Sequence, residues 1–169
     1  MTCTAASVLG SIGRHAAEAS ASDQLRLAGG LVAALEHEHV WVRRNAADAL
    51  GTTVPLMQHL NTSGGAVQAV IDGLAQLANT DASSSDVEAE TARLSAVISL
   101  ARLAGSQTPA GPLELGATGI SAAVRNMRER RPDRTNAATR HYAAAALRRE
   151  GSLAATQGLL DGLLMSRWL

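Results

Sequence analysis

The most informative segment for the fold is residues 31–51, Leu-Val-Ala-Ala-Leu-Glu-His-Glu-His-Val-Trp-Val-Arg-Arg-Asn-Ala-Ala-Asp-Ala-Leu-Gly. It closes with an alanine-rich segment, residues 45–51, that has a leucine at its sixth position. Similar segments begin at residues 4, 95 and 142. Their leucines, at intervals of 41, 50 and 47 residues, are Leu9, Leu50, Leu100 and Leu147. Self-similarity at such a period is typical of chains built from stacked supersecondary units.

Composition favours an all-helical protein. The 169 residues include 34 Ala, only three aromatic residues and no Phe, so there is little material for strands. The cationic residues are 15 Arg and no Lys, and 15 acidic residues balance them, which argues against a nucleic-acid partner. The sequence contains no run of 18 apolar residues, so no membrane span is predicted. The single cysteine, Cys3, excludes an internal disulfide framework and fits a reducing, intracellular compartment.

Apolar residues at spacings of three and four predict amphipathic helices between the alanine-rich ones. Leu25, Ala28, Val32 and Leu35 form one such stripe. Helix signals complete the map: Ser22-Asp23 and Asn136 are expected N-caps, Ser85-Asp86-Val87-Glu88 has the spacing of a capping box, and residues 105–119 are expected to be irregular. The eight predicted helices are 4–14, 23–37, 41–53, 65–79, 86–104, 118–131, 137–150 and 153–166.

An arginine recurs seven residues before the leucine in three segments, as Arg43, Arg93 and Arg140. We expect it in the first turn of its helix, which is the unfavourable end of the helix dipole for a cation. Carboxylates or turn carbonyls of neighbouring repeats would compensate. The expected carboxylate partners are Glu38 for Arg43, Glu88 or Glu90 for Arg93, and Asp133 for Arg140. The alternative is a row of anion-binding sites.

Residues 31–51 closely resemble a HEAT repeat of the short type named after phycobilisome lyases. Residues 139–168 look like a second match, and residues 66–104 and 1–10 are similar more weakly. The resemblance implies a single domain over 1–169, folded as a right-handed α-solenoid (an α–α superhelix) of about eight helices. Its units would be residues 1–22 (partial), 23–62, 63–112 and 113–169. HEAT arrays serve many roles, so the resemblance indicates the fold more sharply than the function.

Catalytic and metal-binding motifs are not evident in the sequence. His37-Glu38-His39 is suggestive, because deoxyhypusine hydroxylases, which share these repeats, hold iron with His-Glu pairs. The matching positions here, Arg44-Asn45, Leu94-Ser95 and His141-Tyr142, contain no such pair, so we expect no metal and no cofactor. Nucleotide-binding and hydrolase motifs are missing too. The enzymatic alternative is a bilin-lyase-like enzyme or chromophore chaperone, since bilin lyases also carry HEAT repeats.

We therefore predict a non-catalytic protein-binding scaffold, an adaptor or accessory subunit of a larger assembly. Arg44 and Asp48 are candidates on the inner helices, with Trp41 at a turn. Further along the chain lies a basic run that includes Arg128, Arg130 and Arg131. We expect these arginines either to bind an acidic protein partner or to form a solvated face. The chain starts within a repeat and ends in an apolar segment, so its ends are expected to dock on a partner or to belong to a longer array. Arg167 and Trp168 are the candidates for a C-terminal contact, unless Trp168 folds back over the last helices.

Overall fold

A computed structural model describes residues 18–57, 60, 65–80, 86–108, 111–129 and 134–167. These residues are mostly helical, which confirms the all-α prediction. A 3-10 turn, Val54–Leu56, follows the second helix, and two short antiparallel strands, β1 (Gln107–Thr108) and β2 (Gly111–Pro112), separate the fourth and fifth helices. The α-helices are α1 (Ala21–Ala34), α2 (Val40–Thr53), α3 (Ala66–Ala78), α4 (Val87–Leu103), α5 (Gly116–Arg128), α6 (Arg134–Glu150) and α7 (Leu153–Arg167).

The helices lie in two layers. Consecutive helices α1–α2, α3–α4 and α5–α6 pack as pairs. The second members, α2, α4 and α6, pack side by side and form the inner layer; α1, α3, α5 and α7 form the outer layer. Each inner helix is alanine-rich and each of the first three outer helices carries the apolar stripe. Between the layers, the buried apolar side chains form one contiguous cluster.

Small residues let the inner helices approach closely. The Ser99 hydroxyl of α4 donates a 2.8 Å hydrogen bond to the Ala47 carbonyl of α2. One turn further along α2, a β-carbon placed on Gly51 would lie only 2.8 Å from the Ser99 Cα. The backbones therefore meet at a distance that no larger residue at position 51 would permit. Ten of the 17 residues of α4 are buried, because other helices cover it on three sides.

The three repeated arginines bind the carboxyl ends of outer helices. Arg43 Nη1 donates to the carbonyls of His37 and Glu38 (2.9 Å each), just beyond the end of α1. Arg93 Nε donates to the Ala78 carbonyl at the end of α3 (3.1 Å), and Arg140 Nε to the Met127 carbonyl in the last turn of α5 (3.2 Å). These ends carry the negative pole of the helix dipole, which favours a cation. Such bonding favours the structural interpretation of the arginines over an anion-binding row.

Some details of the arginine prediction were wrong. Glu38 binds Arg43 through its backbone carbonyl, whereas its carboxylate was the expected partner. Of the two alternatives predicted for Arg93, Glu90 is confirmed, because it pairs with the arginine at 3.4 Å. Only Arg43 stands in a first turn; Arg93 and Arg140 are each the seventh residue of their helix, because α4 and α6 begin earlier than the arginine pattern implied. Asp133, the expected partner of Arg140, lies outside the described residues.

The helix ends also correct the sequence map. Helix α1 begins at Ala21 and Ser20 caps it by accepting a hydrogen bond from the Asp23 N–H (3.2 Å), so Ser22-Asp23 is not the cap. Asn136 is not a cap either, because it lies buried inside α6. Residues 105–119 contain the β1–β2 hairpin and the first turn of α5, rather than irregular chain alone. The predicted helix at residues 4–14 lies outside the described residues.

A membrane span was not expected. Within the described ranges, none of the helices has both the length and the apolar character needed to cross a bilayer.

Candidate protein-binding site

Within the part of the chain that the structure describes, no helix covers one side of the inner layer. The outer layer covers one side of α2, α4 and α6, and the helices flank one another, so their exposed residues point to the remaining side. We call this surface the inner face. The predicted residues Trp41, Arg44 and Asp48 follow one another at helical spacing along α2, and all are exposed or half-buried. The other residues of the inner face are Glu88, Thr91, Leu94 and Ile98 of α4 and His141, Tyr142 and Arg148 of α6.

A pocket of about 120 Å³ opens between the first turns of α2 and α4. Its volume is comparable with the ~150 Å³ apolar cavity that accepts a benzene molecule. Two of the predicted residues, Trp41 and Arg44, line it, whereas Asp48 does not. The complete lining is Val40, Trp41, Arg44, Val87, Glu88 and Thr91.

The pocket combines an apolar floor with two charges. The Arg44 guanidinium carbon lies 5.1 Å from the centroid of the Trp41 ring, which is cation–π geometry. Glu88 faces the pocket from the first turn of α4, where the helix dipole favours a carboxylate. Neither Arg44 nor Glu88 forms an ion pair with any residue that the structure describes. Both charges are therefore available to a ligand.

Capping side chains hold both sides of the pocket in place. His39 caps α2, and its Nδ1 accepts a hydrogen bond from the Trp41 N–H at 3.3 Å. His37 Nδ1 accepts from the His39 N–H at 3.0 Å, which fixes the preceding turn. Asp86 caps α4 by accepting from the Ala89 N–H at 2.9 Å. The His37-Glu38-His39 cluster thus shapes a helix start, and no group of three potential metal ligands converges within the described residues.

A second polar centre is buried between α3, α4 and α5. Arg93 donates to Asn126 Oδ1 through Nε (2.9 Å) and Nη2 (2.7 Å), and it pairs with Glu90 and Glu129. Asn126 Nδ2 in turn donates to the Ala78 carbonyl at 3.0 Å. Every nitrogen of the guanidinium donates to a protein acceptor, and the side chain is buried. This network links one helix pair to the next, a structural role that the sequence pattern foresaw only in part.

The basic run is partly engaged within the fold. Arg128 is half-exposed and pairs with Asp161 of α7 at 3.1 Å, while Arg125 Nη1 donates to the Asn79 carbonyl at 3.1 Å. Both lie beside a shallow groove along α5. Arg130, Arg131 and Trp168 lie outside the described residues, as does the side chain of Arg167. On α7 itself, Leu153, Leu160 and Leu164 are exposed.

The residues that α4 and α6 contribute to this surface were not predicted from the sequence as site residues. Val87, Glu88 and Thr91 line the pocket from α4, and Tyr142 is 37% exposed on α6. The repeat alignment contained a usable signal, because Thr91 occupies the position in its unit that Trp41 occupies in its own. Tyr142 belongs to an alanine-rich segment on which no binding residue was predicted.

The comparisons add no relative to this picture: no protein-family model matches the chain, and neither does any curated protein sequence.

Proposed function

We propose that this chain is a HEAT-type α-solenoid that acts as a non-catalytic scaffold, an adaptor or accessory subunit that binds protein partners within a larger intracellular assembly. Two features support the solenoid. Helix pairs related by the sequence repeat stack in two layers, and each repeated arginine bonds the end of the outer helix before it.

The observation that carries the binding role is the exposure of aromatic residues on the inner face. Trp41 is 40% exposed and Tyr142 is 37% exposed, and they stand on the two inner helices that flank α4. Trp and Tyr are the residues that most often dominate the energy of protein interfaces, with arginine beside them. Arg44 stacks on Trp41 and Arg148 lies further along α6.

The proposed mechanism is burial of a partner against the inner face. Covering the Trp41 and Tyr142 side chains removes apolar surface from water, which provides most of the affinity. Arg44, Asp48 and Glu88 then give directional charged contacts that orient the partner and select against wrong ones. The rigid packing of α2 on α4 presets these positions, so little ordering accompanies binding.

The test is quantitative affinity purification from the native source with three forms of the protein. We expect the wild type to recover defined partners in fixed ratio, and the Trp41→Ser/Tyr142→Ser variant to lose them. The matched control is Leu25→Ser/Leu56→Ser, which removes two apolar side chains of similar exposure, 39% and 45%, that lie off the inner face. Equal loss of partners from both variants, or retention by both, would contradict the proposed site.

A further inference from the structure

We infer that the pocket between α2 and α4 receives an apolar side chain of a partner polypeptide that has one acidic and one basic residue next to it. The acidic residue faces Arg44 and the basic residue faces Glu88. This inference rests on the proposed protein-binding role and narrows it to a partner of defined chemistry.

The floor of the pocket requires an apolar occupant. Val87 is the first residue of α4 and is 70% exposed, and Val40 and Trp41 open the same pocket from α2. Most isolated exposed apolar residues need no explanation. Here the exposed Trp41 and Val87 and the half-buried Val40 line one concavity, which lets a single inserted side chain remove apolar surface from all three.

The two charges define what stands beside that side chain. Arg44 and Glu88 come from different helices, line the same pocket and pair with no described residue. The guanidinium carbon of Arg44 lies over the Trp41 ring, and none of the described residues accepts a hydrogen bond from its N–H groups, so these donors are open to a partner carboxylate. A partner of uniform charge would place a like charge against one of the two. A partner with both signs satisfies both, so charge complementarity selects a mixed segment.

The pocket is also prepared in advance. His39 and Asp86 cap the two helix starts that form its walls, and the Ser99–Ala47 hydrogen bond ties α2 to α4 further along. A side chain therefore enters a site whose walls are already in position, which lowers the ordering cost of binding. The contact is an anchor within the larger inner face rather than a complete interface.

The probes are blocked nonapeptides with one central leucine in a serine and glycine background. The peptides differ in the two residues that flank the leucine. Mixed peptides carry one lysine and one glutamate in either order, and the two single-sign peptides carry two lysines or two glutamates. Binding is followed at low salt by ¹H–¹⁵N NMR through the Trp41 indole N–H, which Trp41→Phe distinguishes from that of Trp168. We expect wild-type protein to bind the mixed peptide about fivefold more tightly than either single-sign peptide, the scale of one exposed ion pair.

Charge variants make the test specific. In Arg44→Glu the pocket carries two carboxylates, so the two-lysine peptide should bind most tightly. In Glu88→Arg the pocket carries two guanidinium groups, so the two-glutamate peptide should bind most tightly. Arg102→Glu is the matched control, because Arg102 is an exposed cation on α4 about 21 Å from Glu88 along the helix, and it should keep the wild-type order. Each variant is checked for wild-type helicity by circular dichroism.

Three outcomes would overturn the inference. In the first, the wild-type protein binds all the peptides with equal affinity. In the second, the pocket variants leave the order of peptide affinities unchanged. In the third, the protein self-associates and Trp41→Ser abolishes the self-association, which would mean that a second copy of the chain occupies the pocket. If either of the first two outcomes is found and the Trp41→Ser/Tyr142→Ser variant still loses its partners in the purification, the inference is refuted and the proposed function stands. Retention of partners by that variant would instead refute the proposed function.

Discussion

The contact of Gly51 with Ser99 gives the sharpest test of how the inner layer is packed. A β-carbon at position 51 would lie 2.4 Å from Ser99 Oγ, 2.6 Å from its Cβ and 2.8 Å from its Cα. A rotation of the serine side chain removes only the first of these clashes. The Cβ and Cα belong to the backbone framework of α4, so Gly51→Ala must push α2 and α4 apart.

The magnitude follows from three contributions. Alanine is favoured over glycine inside a helix by about 1 kcal/mol. Overpacking a tight core contact costs roughly 1–3 kcal/mol. Separating the helices also weakens the buried Ser99–Ala47 hydrogen bond, which is worth about 1 kcal/mol net. We therefore expect Gly51→Ala to lower the free energy of unfolding by about 1–3 kcal/mol, or to lower Tm by several degrees.

Chemical denaturation followed by circular dichroism at 222 nm measures this change. The chain offers a matched control in Gly30→Ala, because Gly30 is an exposed helical glycine at which an added β-carbon would have no neighbour within 4 Å. That control should raise stability by roughly 0.5–1 kcal/mol, since only the helix preference acts there. If Gly51→Ala were as stabilising as Gly30→Ala, the close approach of α2 to α4 would be wrong.

Three further predictions concern polar contacts, all measured by the free energy of unfolding. Arg93→Met removes the buried cation that pairs with the Glu90 carboxylate and should cost about 3–5 kcal/mol; a loss below about 1 kcal/mol would mean that the network is not buried. Asp86→Ala removes the N-cap of α4 and should cost about 1 kcal/mol, whereas Asp86→Asn should cost much less because an amide oxygen still accepts. A double-mutant cycle of Arg128→Ala and Asp161→Ala should give a coupling energy of about 0.2–1 kcal/mol, because the ion pair is exposed to solvent. In about 1 M salt this coupling should largely disappear, because salt screens exposed charges. A larger coupling that does not depend on salt would contradict the exposure of the pair.

Local chemistry explains why the helices could be predicted and why their ends could not be placed to the residue. Apolar spacing and the alanine-rich segments are both properties of neighbouring residues, and together they located all seven described helices. The cap of α1 was misplaced because Ser20, Ser22 and Asp23 all carry side chains that can cap a helix. Only the observed hydrogen bond from the Asp23 N–H decides for Ser20.

The candidate site depends on distant parts of the chain. Trp41 and Arg44 are visible in sequence because an aromatic and an arginine follow a turn at helical spacing. Glu88 and Glu90 were both predicted as partners for Arg93, although only Glu90, three residues before it, shares its face of the helix. Helix rotation separates their roles, since it turns Glu90 into the core beside Arg93 and leaves Glu88 at the pocket.

The order of amino acids is enough to specify that alanine-rich helices alternate with leucine-striped ones. It also shows that an arginine precedes each alanine-rich segment that the structure describes. Those features are local, because propensity, periodicity and capping act within a few residues. Three-dimensional packing was needed to establish that the first turn of α2 meets the first turn of α4, more than 40 residues away. It also places between them an apolar pocket with two charges, Arg44 and Glu88, that pair with no residue the structure describes. The physical reason is that the pocket is a product of packing: the small residues at Ala47, Gly51 and Ser99 set how closely and in what register the two helices lie.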